Sequence, residues 1–261
     1  MTTTQTYTEE TTSVTGLSVR VLRGGQGPSL VWLHHSTGSV GWLPVHEKLS
    51  ENFTVIVPDL PGFGQSDRPV WARHPRDLAL LMNRVIDKLD LGPVTLVGGG
   101  LGGWIAAEMA TMNDTALSSL VLIGAAGVQP DEGEIMDLIM FDFEEYVKNG
   151  FSSDDAFTAI FGEEIESDLT TLWDFSREMT ARITWKPWMF SRQLVPILAE
   201  METPTLLIWG ELDRVVPVNC GELYQKHLAN ARLDVVGGAG HLVELEQPDE
   251  TAAKITEFAS G

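Results

Sequence analysis

The sequence predicts an α/β fold in which a mostly parallel sheet is covered by helices on both faces. Short β-rich runs alternate with helical stretches along most of the 261 residues, the pattern of such a sheet. Glycine-rich turns follow several of these runs, and one long stretch, residues 128–198, contains helical patterns alone. A chain of this length with 43% hydrophobic residues is long enough for one well-buried domain.

The individual elements follow from residue patterns. The segment TSVTGLSVRVLRGG predicts two strands that turn near Gly16, and SLVWLHH (29–35) predicts a buried strand. TVIVPDLPGFGQS predicts a strand and its loop, and PRDLALLMNRVIDKLDLG an amphipathic helix with a glycine stop. Further strands are predicted in VTLVG (94–98), SSLVLIGAAG (118–127), TPTLLIWG (203–210) and ARLDVVGG (231–238), and a last helix in PDETAAKITEFAS. We expect eight strands in all.

Residues 128–198 are predicted to form a helical lid inserted in the core, which comprises residues 1–127 and 199–261. The insertion holds 11 of the 21 aromatic residues. Ligands of open α/β sheets bind at the carboxyl edge of the strands, so we expect the lid to cover that edge. Trp185 and Trp188 are its candidate substrate-binding residues, and the aromatic content predicts a largely apolar small-molecule substrate.

Charge and composition exclude several classes of partner. The net charge is −20, which argues against nucleic acid and anionic membrane surfaces, because both require clustered Lys and Arg. No apolar run approaches the roughly 20 residues that span a bilayer. The N-terminal MTTTQTYTEETTS has no signal-peptide pattern and is expected to be a frayed tail. A single cysteine, Cys220, excludes an internal disulfide and favours a cytoplasmic location.

The segment LVGGGLGGWIAAEMA (96–110) predicts a strand, a tight turn and a helix, which is the setting of a G-x-S-x-G nucleophile elbow. Small residues at Gly98, Gly102 and Gly103 allow the strand and helix to approach closely. In this pattern the chain resembles the α/β-hydrolase superfamily, in its lid-bearing small-molecule branch. Gly100 stands at the position of the attacking serine, so the nucleophile position is vacant, and Gly99 also departs from relatives that carry a bulkier residue.

Two later loops carry the same resemblance. WGELDRVVP (209–217) is similar to the family's acid loop with Asp213 at the strand tip, and GGAGHLVELEQP (237–248) to its histidine loop with His241 as the base. The chain order of elbow, acid and histidine matches the superfamily. The resemblance implies the α/β-hydrolase fold, with a mostly parallel eight-stranded sheet, and an Asp213–His241 pair without its serine.

The loop LHHSTGS (33–39) completes the candidate site. The resemblance implies an oxyanion hole formed by the backbone N–H groups of Ser36 and Leu101, each donor contributing about 3 kcal/mol. His35 stands where the family has glycine, and we expect it to reshape the hole or to add a side-chain donor to substrate. Adjacent histidines on a strand end point apart, so His34 and His35 predict no metal site with His241, and no cofactor is expected.

The missing hydroxyl leaves several functions open. The covalent serine route is closed, because glycine has no atom to attack with. We favour a small-molecule hydrolase, acting on an ester or C–C bond, in which His241 activates water or removes a substrate proton. The alternatives are a serine hydrolase inactivated by substitution at Gly100, a decarboxylase or lyase, and a non-catalytic binding pseudoenzyme. The expected partner is a small molecule, and the expected assembly is a monomer or homodimer.

Overall fold

The computed structural model describes residues 6–260, which contain one eight-stranded sheet. Its strands are β1 (Tyr7–Val14), β2 (Leu17–Gly24), β3 (Ser29–Leu33), β4 (Thr54–Pro58), β5 (Val94–Gly99), β6 (Leu117–Ile123), β7 (Thr205–Gly210) and β8 (Ala231–Val236). They lie in the order β1-β2-β4-β3-β5-β6-β7-β8. The first two pairings in this order are antiparallel and the remaining ones are parallel. The predicted fold class is confirmed.

Helices cover both faces of this sheet. They are α1 (Pro44–Leu49), α2 (Pro75–Lys88), α3 (Leu101–Met112), α4 (Phe143–Asn149), α5 (Asp154–Phe161), α6 (Ser167–Thr184), α7 (Leu194–Leu198), α8 (Val218–His227), α9 (Val243–Glu246) and α10 (Pro248–Ser260). The apolar cores on the two faces are separate clusters, one beneath α2, α3 and α8 and one beneath α1 and α10. Among residues 6–260, none of the helices combines the length and apolar character that crossing a membrane requires.

The expectation of a frayed N-terminal tail is wrong for residues 7–13. With Val14 these residues form β1, which pairs along its whole length with β2, from Tyr7 opposite Gly24 to Val14 opposite Leu17. The ladder pairs the backbone groups that face β2, in a segment whose side chains are mostly exposed. The threonine-rich segment is therefore an edge strand of the sheet. Residues 1–5 of the predicted tail lie outside the described residues.

Within 128–198 the described chain forms helices α4 to α7 and a single isolated bridge between Gly127 and Phe190. These helices contact the loops that follow the core strands. The hydroxyl of Tyr146 in α4 lies 2.9 Å from Ser36 Oγ, and Thr180 in α6 donates to the Ser36 carbonyl oxygen at 3.4 Å. Leu242 donates its backbone N–H to the Gly150 carbonyl at 2.9 Å. The helical insertion thus packs on the loops that hold the candidate site residues.

The close approach of α3 to the sheet depends on glycine. A Cβ at Gly102, in the first turn of α3, would collide with the carbonyl oxygens of Leu33 and His34 at the end of β3. Neither oxygen belongs to a flexible side chain, so the helix itself would have to move. This contact fixes the start of α3, and with it Gly100, against the loop after β3.

We expect Gly102→Ala to lower the free energy of unfolding by about 1–3 kcal/mol, because overpacking displaces α3 from β3. Urea denaturation measures the change. Gly237→Ala is the matched control, since the nearest atom to its added Cβ is Glu211 Oε2 at 3.8 Å. Equal stability of the two variants would contradict this account of α3.

Helix α1 is anchored by a buried histidine. His46 is 1% exposed, its Nδ1 accepts the backbone N–H of Leu43 at 3.1 Å, and Trp32 packs edge-on against its ring at 5.0 Å. Burial lowers the pKa of His46 to about 3, and the attraction of Glu244 opposes that shift without cancelling it. The imidazole is therefore neutral in the native protein at neutral pH.

The depressed pKa of His46 makes stability depend on pH. An unfolded histidine binds a proton below about pH 6.5, whereas native His46 stays neutral down to about pH 3. The stability that neutral His46 contributes is therefore lost as pH falls through this window. His46→Asn keeps an acceptor for Leu43 and removes the titration. We expect urea unfolding of the variant to lose about 1.4 kcal/mol less per pH unit between pH 6 and 4. An unchanged slope would show that native His46 takes up the proton.

Candidate active site

Asp213 and His241 form a direct, buried contact at the carboxyl edge of the sheet. Asp213 lies in the loop after β7, and His241 in the loop after β8. His241 Nδ1 is 2.8 Å from Asp213 Oδ2, and the side chains are 5% and 0% exposed. The other carboxylate oxygen, Oδ1, accepts the backbone N–H groups of Val215 and Val216, each at 2.8 Å. The carboxylate is thus held on both sides, and it places the hydrogen of His241 on Nδ1.

Gly100 lies at the turn between β5 and α3, with φ 51° and ψ −113°. A positive φ is strained for a residue with a side chain, and glycine adopts it at little cost. A Cβ built there would lie 3.0 Å from His241 Nε2. Position 100 therefore faces the histidine, as the resemblance implies.

Position 100 carries no nucleophile, and the imidazole of His35 lies against it. His35 Nδ1 would lie 2.7 Å from a Cβ at Gly100, and its ring would collide with any Cβ at Gly99. His35 Nδ1 lies 3.3 Å from His241 Nε2, with the two rings at 83° to each other. The two glycines and His35 are thus one steric set: the ring fits only where both neighbouring side chains are absent.

The far side of His35 faces a second carboxylate, which the sequence analysis missed. His35 Nε2 is 3.1 Å from Glu244 Oε1 in α9, and both side chains are 3% exposed. The two atoms are close, but the contact does not have the geometry of a hydrogen bond. Burial raises the pKa of Glu244, but the attraction of His35 and hydrogen bonding outweigh this, so the pKa is lowered and the carboxylate is ionised. Glu244 stands three positions after His241, and the sequence signal for a partner here is the unusual His35.

These four side chains form a linear array, Asp213–His241–His35–Glu244. His241 Nδ1 and Asp213 Oδ2 form a hydrogen bond, whereas the contact of His35 Nε2 with Glu244 Oε1 lacks hydrogen-bond geometry. The 3.3 Å contact between the two rings is the longest of the three, and therefore the easiest to open.

The two predicted oxyanion donors flank this array. Ser36 follows His35 directly, and Leu101 is the first residue of α3. Within the described part of the chain, neither backbone N–H donates to a protein acceptor. The Ser36 side chain is engaged with Tyr146, whose hydroxyl stays protonated because burial raises its pKa to about 12. Both N–H groups are therefore available, and their role in an oxyanion hole stays a prediction.

A cavity of about 30 Å³ adjoins His35 and Glu244. Its apolar walls come from core and insertion alike, and they include Trp32, Leu43, Val147, Phe161, Trp173 and Leu242. Trp185 and Trp188 do not line this cavity, and their role in substrate binding stays a prediction. Trp185 is 64% exposed, and Trp188 donates to the Met136 carbonyl and lines a different surface groove. Trp173 is the tryptophan of the insertion that reaches the site, because it lies on the buried face of α6.

Comparisons with known proteins agree with this architecture. The chain is 28% identical over 290 residues to the 2-hydroxy-6-oxononadienedioate/2-hydroxy-6-oxononatrienedioate hydrolase of Burkholderia vietnamiensis (strain G4 / LMG 22486), covering 99% of each protein. It is 26% identical to the 2-hydroxymuconate semialdehyde hydrolase of Pseudomonas sp. (strain CF600), covering 93% of this chain and 90% of that one. A crystal structure described as a membrane phospholipase A, a novel bacterial virulence factor, superposes with a TM-score of 0.80 at 25% identity, over 98% and 86% of the two chains.

The model of the family described as the alpha/beta hydrolase family matches residues 27–254, which include β3 to β8 and the whole candidate site. With the sheet order and the placement of its loops, this match identifies the protein as a member of the alpha/beta hydrolase family.

Proposed function

We propose that this protein is a hydrolase of small, largely apolar molecules that cleaves an ester or C–C bond beside a carbonyl group without a covalent serine intermediate. The observation that carries the proposal is the buried array itself, in which Asp213 and His241 keep a 2.8 Å contact although no serine is present at position 100. The relatives of the protein support this reaction class. Two of them are named as hydrolases, one acting on 2-hydroxymuconate semialdehyde, and one similar crystal structure is described as a phospholipase.

In the proposed reaction, a water molecule and the substrate carbonyl enter between the two imidazoles. His241 Nε2 takes a proton from the water as its oxygen attacks the carbonyl carbon. The oxyanion accepts hydrogen bonds from the N–H groups of Ser36 and Leu101 and from His35 Nδ1. The bond to the leaving group then breaks, and the departing oxygen or carbon takes the proton from His241, which regenerates the neutral base.

Glu244 and Asp213 have different tasks in this scheme. Asp213 orients His241 and stabilises the imidazolium formed during attack, as the carboxylate of a serine triad does. Glu244 is a positioning residue: it holds the His35 ring from the far side, so that Nδ1 faces His241 and can donate a hydrogen bond to the developing oxyanion. Among described residues it is the only carboxylate in contact with His35.

The structure weighs against a serine hydrolase inactivated by one substitution. Restoring a serine at position 100 would bring its Cβ within 2.7 Å of His35 Nδ1, so His35 would have to move before a triad could form. Here the ring of His35 occupies the space that a side chain at position 100 needs.

A non-catalytic binding protein is the second candidate, and the small cavity favours it. A volume of about 30 Å³ is far below the roughly 300–1,000 Å³ of ordinary ligand pockets. A decarboxylase or lyase would use the same histidine without adding water to the product. Product analysis separates both alternatives from the proposed function, because a binding protein releases no product and a lyase releases one without oxygen from water.

We expect the protein to hydrolyse p-nitrophenyl butyrate or 2-hydroxymuconate semialdehyde, and in ¹⁸O-labelled water to place one labelled oxygen in the acid product. His241→Ala should lower kcat/KM by about 10²–10⁴-fold, because the general base is lost. His227→Ala, in α8, is the matched control and should be unaffected. Ligand binding without turnover would favour the binding protein, and product without ¹⁸O would favour the lyase.

Glu244→Gln tests the role of the carboxylate behind His35. We expect kcat to fall by about 10-fold or more with KM little changed, because a neutral partner attracts the His35 ring less strongly and the weakened donation to the oxyanion belongs to the transition state. Steady-state kinetics measure both constants. A rise in KM with kcat unchanged would assign Glu244 to substrate binding instead.

The steric set of Gly99, Gly100 and His35 predicts a coupled pair of substitutions. Gly100→Ser alone should not react with a fluorophosphonate probe, because His35 lies where its side chain must go. Gly100→Ser combined with His35→Ala should be labelled at position 100, since Asp213 and His241 are then free to activate the hydroxyl. Mass spectrometry of the peptide that contains position 100 shows whether each variant is labelled. Labelling of the single variant would show that His35 moves aside freely.

A further inference from the structure

The turn at residues 150–152 joins α4 to α5, and it reaches the loop that carries Asp213. Arg214, the next residue after Asp213, donates a guanidinium N–H to the Phe151 carbonyl oxygen at 2.7 Å. Phe151 is fully buried, and its ring packs edge-on against Phe157 in α5. The packing of Phe151 therefore holds this carbonyl in place, and Arg214 ties the Asp213 loop to it.

The same turn also reaches the loop that carries His241. The residues on the two sides of His241 are Gly240 and Leu242. Leu242 donates its backbone N–H to the Gly150 carbonyl oxygen at 2.9 Å. Gly240 donates its backbone N–H to Glu246 Oε1, in α9, at 2.8 Å. Hydrogen bonds therefore hold the chain both before and after His241.

Glu246 joins the turn to the histidine loop. Its Oε1 accepts the backbone N–H of Ser152 at 3.1 Å, and its Oε2 accepts the Ser152 hydroxyl. With the N–H of Gly240, three donors from two separate segments meet at this half-buried carboxylate. Hydrogen bonds to an ionised group are stronger than those between neutral groups, so Glu246 links the two segments firmly.

Gly240 lets the turn and the histidine loop approach closely. A Cβ at this position would meet three backbone atoms of the turn, at 2.6 Å, 2.6 Å and 2.8 Å. These atoms are Phe151 C, Ser152 N and Gly150 O. None of them belongs to a flexible side chain, so a larger residue at Gly240 would push the turn away from the loop.

We infer that the turn at residues 150–152 is part of the support that holds His241 against Asp213, and that Ser152 and Glu246 are positioning residues for His241. The inference rests on the proposed function, in which His241 removes a proton from water. Hydrogen bonds weaken steeply as their geometry departs from the preferred range, and a displacement of about 1 Å can cost about 10²-fold in rate. The helical insertion thus acts on the base through the backbone of the histidine loop.

Two neighbouring serines of the insertion provide a matched pair of variants. The Ser152 hydroxyl donates to Glu246, whereas the Ser153 hydroxyl caps α5 by accepting the Ala156 N–H at 3.2 Å. Ser152→Ala and Ser153→Ala each remove one hydroxyl from the insertion. Only Ser152→Ala removes a contact with the segment that carries the base.

Proton NMR of the intact protein, with ¹⁵N-labelled histidine, reports the Nδ1–H of His241. This resonance lies far downfield while Asp213 accepts the hydrogen bond. We expect Ser152→Ala to move the resonance upfield or to broaden it, and Ser153→Ala to leave it unchanged. An unchanged resonance in Ser152→Ala, or equal changes in the two variants, would overturn the inference.

Steady-state kinetics with p-nitrophenyl butyrate distinguishes positioning from substrate binding. We expect Ser152→Ala to lower kcat by about 5–10-fold with KM little changed, because a misplaced base affects the transition state more than the bound substrate. Ser153→Ala should keep both constants. A rise in KM with kcat unchanged would overturn the positioning role. If the unaltered protein turns over no substrate, the proposed function fails, while the NMR comparison still tests the role of the turn.

Glu246→Gln and Glu246→Leu test whether hydrogen bonding does the positioning. Glutamine keeps an acceptor oxygen for the backbone N–H groups, and its amide can donate to the Ser152 hydroxyl, whereas leucine offers no acceptor. We expect the His241 resonance to persist in Glu246→Gln and to be lost in Glu246→Leu, with Glu257→Leu, at an exposed position of α10, as the unchanged control. Persistence in Glu246→Leu, or equal loss in both Glu246 variants, would overturn the inference. If Glu246→Leu does not fold, the two serine variants still decide.

Discussion

The contact between His35 and His241 is the constraint on which the candidate site depends. Two imidazoles meet at 3.3 Å, and each is held from behind by a buried carboxylate. This arrangement requires that positions 99 and 100 carry no side chain, since a Cβ at either would meet the ring of His35. Residues from β5, the loop after β3 and the loop after β8 are thus matched to one another although they are far apart in sequence.

Burying two carboxylates is costly unless their charges are compensated. Asp213 accepts two backbone N–H groups and contacts His241, and Glu244 contacts His35. Each buried carboxylate thus faces an imidazole. The His35 ring also gives the site a side-chain group that an ordinary oxyanion hole, built from backbone groups alone, does not have.

Family membership and local chemistry answer different questions about this protein. The sheet, its loops and the match over residues 27–254 identify the family. They do not fix the reaction, because one fold supports many chemistries and function depends on the site. Here the site differs from a serine triad because the imidazole of His35 lies where a triad has the serine side chain. An imidazole nitrogen has a single in-plane lone pair, and the Nδ1 of His35 points at His241, so we assign His35 to donation rather than to nucleophilic attack.

The sequence by itself determined the fold class, the order of the loops and the positions of Asp213, His241 and Gly100. These features follow from local patterns, namely strand runs, glycine turns and short motifs, each of which is contained in consecutive residues. Tertiary structure alone decided that His35 fills the place beside Gly100, that Glu244 stands behind it, and that Trp173 rather than Trp185 or Trp188 reaches the cavity. The physical reason is that a side chain's neighbours across a loop or a helix interface depend on how separate segments pack, and no periodicity within one segment encodes that.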